Sequence, residues 1–156
     1  MRNPMPYAFA ALLLIGGMLA ARAVEPPDNV VDEVAYAIQA CKDLEGAPNA
    51  DAVLSVTDLN EDGGEDWIAD YAKLDCSGGV NPMCGPDGCD LQIFLWDGAM
   101  AWPLAFDETV KSYKVTKRGG KPVLKVVMAG TACGKPSGED CDVTYNLGKD
   151  AIVPAP

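Results

Sequence analysis

Six cysteines, Cys41, Cys76, Cys84, Cys89, Cys133 and Cys141, constrain this chain more than any other feature. Their meaning depends on the compartment, and the N-terminus speaks to that. Arg2 supplies a positive start, Tyr7 to Ala21 is an apolar run containing Leu12-Leu13-Leu14-Ile15, and Ala21-Arg22-Ala23 is a small-x-small site. This is the layout of a secretory signal peptide. A membrane anchor fits less well, because the run is only about 15 residues and a spanning helix needs about 20. No cysteine lies near the cleavage site to take a lipid. The expectation is a signal peptide over residues 1–23, a single globular domain over 24–156, and a periplasmic or secreted product with no membrane association after cleavage. In an oxidising compartment an even number of cysteines reads as disulfides.

Six cysteines can pair in fifteen ways, and sequence alone does not choose among them. Loop logic favours Cys84–Cys89 and Cys133–Cys141, each closing a short turn that contains Gly and Pro, and leaves Cys41–Cys76. The metal alternative is poor: there is no histidine, and paired C-x-x-C spacing is absent, so neither a zinc site nor a thioredoxin-like centre is supported.

After Pro26-Pro27, Asp28 or Asn29 can cap a helix. Val30, Val31, Val34, Ile38, Cys41 and Leu44 recur at three- and four-residue spacing, which predicts one apolar face on a helix from Asn29 to Leu44. Gly46 and Pro48 stop it. Strands follow. Ala52–Thr57 and Trp67–Cys76 flank an acidic loop. Asp90–Trp96 and Ala99–Phe106 flank Asp97-Gly98, a hairpin dipeptide that would set Ile93 opposite Trp102. Both faces of this pair are apolar, so it should be central and covered on each side. Val110–Lys117 and Lys121–Met128 flank Gly119-Gly120, pairing Val115 with Leu124 and Tyr113 with Val126. Cys141–Leu147 alternates as a last strand, with Val143, Tyr145 and Leu147 inward, and Pro154-Ala155-Pro156 should fray. The segment Cys76–Cys89 is rich in Gly and Pro and reads as a stapled connection. The expected fold is α+β: one N-terminal helix packed on a mainly antiparallel β-sheet of about six or seven strands, stapled by disulfides.

The chemistry-bearing stretch is Asp58-Leu59-Asn60-Glu61-Asp62-Gly63-Gly64-Glu65-Asp66. Oxygen-bearing side chains fall at its first, third, fifth and ninth positions, and glycine at its sixth. A hard cation such as calcium takes several oxygens in irregular geometry. The candidate ligands are the side chains of Asp58, Asn60, Asp62 and Asp66 and the main-chain carbonyl of Gly64. Strands on both sides make the loop a hairpin tip. An EF-hand is excluded, because its twelfth position needs a bidentate Glu and here is Ala69. The competing reading is an acidic turn without an ion, its Asp and Asn oxygens bonded to main-chain amides.

This nine-residue stretch resembles the calcium loop of FG-GAP repeats, found in integrin-type propellers. The resemblance implies an oxygen-ligated divalent cation. It occurs once here, so a propeller is not implied, and Glu61 stands where glycine is usual. The arrangement as a whole also resembles small exported bacterial proteins of uncharacterised function that combine an N-terminal helix, a D-x-N-x-D-G loop and a Cys-Gly-x-x-Gly-Cys segment, here Cys84-Gly85-Pro86-Asp87-Gly88-Cys89. That resemblance implies fold and compartment, and no activity.

Charge excludes some partners. The chain carries 23 acidic and 12 basic residues, and two of the basic ones, Arg2 and Arg22, lie in the expected leader. Such a surface repels nucleic acid and anionic lipid and suits divalent cations or a basic protein. The leading expectation is an exported non-enzymatic protein with a structural calcium-binding hairpin loop. The alternative is a periplasmic inhibitor or binder of a basic protein such as a lysozyme. A carboxylate-based glycan hydrolase is a third reading. It is the weakest, because histidine is absent and the acidic tip is too polar to raise a carboxylate pKa far.

Overall fold

The computed structural model describes residues 24–156; the expected signal peptide over 1–23 lies outside the described residues. Among the described residues, no helix is long and apolar enough to cross a membrane. The described residues form one α-helix and eleven short strands in three antiparallel sheets.

Helix α1 spans Asp28–Asp43, within a residue of the expectation at either end. Its buried stripe is Val30, Val34, Ala37 and Cys41. This is narrower than the periodicity suggests. Val31 and Leu44 are 44% and 50% exposed, while Ala37 is fully buried. Ala37 is small enough to let the helix approach the sheet closely, and it occupies the stripe position between Val34 and Cys41. The start differs too. Pro27 is the N-cap residue and no side chain caps the helix. The Asn29 amide instead donates to the Trp102 carbonyl at 2.8 Å, tying the first turn to a distant loop.

The larger sheet joins β2 (Leu54–Thr57), β3 (Asp66–Asp70), β5 (Cys84–Gly85), β6 (Gly88–Phe94) and β7 (Leu104–Val110). Strand β6 pairs with β3, β5 and β7. It is thus central, as its doubly apolar pattern predicts, whereas its partner β7 pairs with β6 alone and exposes Asp107, Glu108 and Thr109, so the expectation of a central, covered pair holds for β6 and not for its partner. Leu91, Ile93 and Leu95 point to one side, into a core shared with Leu124, Val126, Met128, Leu147 and Ile152. Phe94 points to the other, where it meets Trp67, Ala69 and the buried stripe of α1. The second sheet consists of β8 (Ser112–Arg118), β9 (Lys121–Ala129), β10 (Asp140–Leu147) and β11 (Ile152–Pro154), in the order β11-β10-β9-β8. The layers are therefore helix, sheet, sheet. Only Lys111 separates β7 from β8, and its amide donates to the Val127 carbonyl, so the chain passes from one sheet to the other without leaving the ladder.

Register holds where a Gly-Gly turn sets it: Val115 pairs with Leu124 and Tyr113 with Val126. It fails at Asp97-Gly98. Phe106, not Trp102, lies opposite Ile93. The Asp97 carboxylate accepts from the Ala99 and Ala101 amides, opening the tight turn into a long loop that leaves Met100 86% exposed at φ +74°. Two further expectations are corrected. Trp67–Cys76 is not one strand. Asp70 accepts from the Ala72 amide and starts a 3₁₀ turn at Tyr71–Lys73, after which β4 (Asp75–Ser77) pairs with β1 (Ala47–Asn49) in a sheet of its own. The C-terminus is not frayed: β11 pairs with β10, and the Ala155 amide donates to the Thr144 carbonyl.

Three disulfides join Cys41 to Cys76, Cys84 to Cys89 and Cys133 to Cys141, with Cα separations of 5.9, 4.0 and 6.5 Å. The first ties α1 to β4 and closes the longest loop. Removing it in a Cys41→Ala/Cys76→Ala variant is expected to cost about 2–4 kcal/mol, read as a lower urea midpoint in equilibrium unfolding.

Candidate metal loop at a hairpin tip

Strands β2 and β3 pair from Leu54↔Ala69 to Thr57↔Asp66, so the acidic stretch is the tip of a hairpin. Its side chains bend the chain by bonding to it. The Asp58 carboxylate accepts from the Asp62 amide at 3.1 Å and the Gly63 amide at 3.0 Å. Asn60 Oδ1 accepts from the same Asp62 amide at 3.0 Å, and Asp62 Oδ1 accepts from the Gly64 amide at 2.8 Å. One N–H thus holds oxygens from Asp58 and Asn60 side by side. Gly63 has φ +90° and Glu61 φ +62°. A left-handed backbone at the fourth position is the physical reason that glycine suits that place in such loops; here Glu61 takes it and forms an ion pair with Lys117.

Gly64 serves another purpose. A Cβ there would lie 2.0 Å from the Trp96 ring, so the absence of a side chain lets the indole cover the loop. Leu59 is buried in the core between the sheets. Asn60 Nδ2 reaches the Gly148 and Lys149 carbonyls, both at 3.3 Å. The tip therefore belongs to one sheet by chain and to the other by contact.

Asp66 is apart from the other acids. It is fully buried. Oδ2 accepts from the Leu59 amide at 2.8 Å and Oδ1 from the Trp96 amide at 2.9 Å. Burial pushes its pKa above 3.8; the two amides oppose that shift, and the charges of Asp62 and Asp58 add to it. Asp58 and Asp62 are exposed, Asn60 half-buried and Gly64 buried. Among the described residues, no three His, Cys, Asp or Glu side chains gather as a metal centre requires. The loop's oxygens converge on main-chain amides. Each carboxylate oxygen has more than one lone-pair direction, so an amide bond on one leaves another for a cation.

Two features carry no sequence signal of their own. Tyr71 donates to Gln92 Oε1 at 2.8 Å inside the core, and the Tyr113 hydroxyl donates to Asp70, which also pairs with Lys73. Burial, with the Asp70 charge beside it, pushes the Tyr113 pKa up to about 12. A groove also forms between the Cys84–Cys89 hairpin and the end of β9, with Asp87, Asp90 and Glu108 among its lining residues. Alternation in β6 and β7 sets Asp90 and Thr109 on one face and Glu108, opposite Leu91, on the face that carries Phe106 and Val110. No protein-family model, curated protein or solved structure matches the chain.

Asp66→Asn is expected to lower stability by about 1–3 kcal/mol, because an NH₂ group would face a main-chain N–H in place of an acceptor. The sign of the pH effect follows from the raised pKa. The folded state holds the Asp66 proton more tightly than the unfolded chain, so this group's contribution falls as pH rises from 3.8 through the folded value. Urea unfolding over the acidic range should show that component of the slope in the wild type and not in Asp66→Asn.

Proposed function

We propose that this is an exported, non-enzymatic protein whose Asp58–Asp66 hairpin tip binds calcium as a structural ion. The observation that carries the reading is the place of the tip. Leu59 enters the core between the sheets, Asn60 reaches the Gly148–Lys149 turn, and Glu61 pairs with Lys117 of the second sheet. An ion held by the side chains of Asp58, Asn60, Asp62 and Asp66 with the Gly64 carbonyl would relieve repulsion among three carboxylates at that junction. The donor set supports it: all oxygen, anionic, and spaced as a short loop around a hard cation requires. Three disulfides support an oxidising compartment, periplasmic or extracellular. The non-enzymatic reading rests on the absence of histidine and on Asp66, whose pKa burial raises, having both oxygens bonded to amides.

Extracellular calcium modules bind at about 10⁻⁴–10⁻³ M, so millimolar calcium should stabilise the fold by on the order of 1 kcal/mol. The expected result is a melting temperature raised by a few degrees in calcium and unmoved by sodium at equal ionic strength. Asp62→Ala should abolish the rise. A wild type indifferent to calcium would overturn the proposal.

A further inference from the structure

The outer face of the second sheet carries a charge opposite to that of the molecule as a whole. Leu124, Val126 and Met128 of β9 point into the core between the sheets, so Lys121, Val123 and Lys125 alternate onto the other face. The ladder places further cations beside them: Lys114 pairs with Lys125, and Arg118 with Lys121. All four are exposed. Residues directly opposite each other share a face, and like charges so placed repel. Thr116 and Val123 form the row between the two pairs.

Among the described residues no acid pairs with these cations. The salt bridges are Lys73–Asp70, Lys111–Asp140 and Lys117–Glu61. Asp142 shares the face, diagonal to Lys125, without forming an ion pair. A cation on an edge strand can serve to keep other strands away. That role suits Lys114 and Arg118 on β8, the edge of the sheet. It does not suit Lys121 and Lys125 on β9, which is paired on both sides.

The opposite side of the molecule has the complementary pattern. Helix α1 carries Asp28, Asp32, Glu33 and Asp43 against Lys42 alone, and its buried stripe of Val30, Val34, Ala37 and Cys41 fixes which side faces out. Asp32, Tyr36 and Asp43 lie in one row on that outer side, spaced by four and seven residues. Both acids are exposed, and Tyr36 is 67% exposed. Asp43 accepts from the Gln39 amide, which leaves its charge unpaired. Asp32 and Asp43 are about 16 Å apart along the helix axis, and the two cation pairs are about 14 Å apart along the strands. A helix laid along the strands would bring one acid to each cation pair, with Tyr36 over the row between them.

We infer that the outer face of the second sheet docks helix α1 of a second copy of this chain. The two surfaces lie on opposite sides of three layers, so they cannot meet within one molecule. A contact between copies leaves one surface of each free, so association is head-to-tail and open-ended. Repulsion between two acidic molecules is screened beyond about 10 Å at about 0.1 M salt, while charges in contact still attract. None of these residues belongs to Asp58–Asp66, so the inference does not depend on calcium.

The test is sedimentation velocity of the purified protein over a concentration series. At about 0.1 M salt the weight-average mass should rise with concentration past that of a dimer, and at about 1 M it should remain that of the monomer. Lys114→Gln/Lys125→Gln and Asp32→Asn/Asp43→Asn remove exposed charges only, and each should weaken self-association by about tenfold. When the two variants are mixed, the first still offers its helix and the second its sheet face, so they should form a heterodimer that does not grow. A wild type that stays monomeric, a double variant that associates like the wild type, or a mixture that stays dissociated would each overturn the inference.

Discussion

The carboxylate of Asp66 has no exposed surface, and each of its oxygens accepts from a main-chain amide in a different segment: Leu59 on the far side of the acidic loop, and Trp96 just beyond the central strand. An unpaired charge at such a depth would be expensive. Two amides that would otherwise lack partners, at a loop entry and a strand exit, make the arrangement self-consistent. The bond to Leu59 closes the hairpin tip and turns that side chain into the core. The bond to Trp96 aligns the end of the central strand and lays the indole over Gly64. Sheet, loop and the cover of the loop thus meet at one side chain.

Around this point the layers follow from alternation. Strand β6 is buried on both faces, so it must have a layer on each. On one side lies the helix, through Val30, Val34, Ala37 and Cys41; on the other lies the second sheet, through Leu124, Val126 and Met128. The disulfides act at the margins. They tie the helix to the outermost two-stranded sheet and close two turns that have little apolar content of their own. In a chain of this composition the covalent links replace contacts that Gly- and Pro-rich segments cannot make.

The acids of the hairpin tip and those of the β6–β7 ladder have different partners. At the tip, Asp58, Asn60 and Asp62 are satisfied by the loop's own amides, and their effect is to define its shape. On the ladder, Asp90 accepts from the Thr109 hydroxyl across the strands, and Glu108 lies on the opposite face of the sheet, with Leu91 and Phe106. A chain with a formal charge of −11 thus uses some of its acids to fix local conformation.

Local patterns were enough wherever one short-range rule governed the outcome. Most of the helix stripe, the Gly119-Gly120 hairpin with its register, the doubly buried central strand, the pairings that loop closure favours and the position of the acidic loop at a hairpin tip were legible in the residues. They depend on periodicity, turn chemistry and loop closure, which act over a few neighbours. Tertiary structure decided the rest. Asp97-Gly98 reads as a tight turn, yet the Asp97 carboxylate gathers two amides and Trp102 donates to the Glu65 carbonyl, so a long loop wins and the register moves. Asp66 reads in sequence like the other acids of its loop, and only the packing of β6 shows that it is buried with both oxygens on main-chain amides. The C-terminal residues read as an end and become an edge strand because β10 offers an unpaired ladder. Apart from the two local amides on Asp97, the deciding partners lie on another element, where no local pattern can reveal the contact.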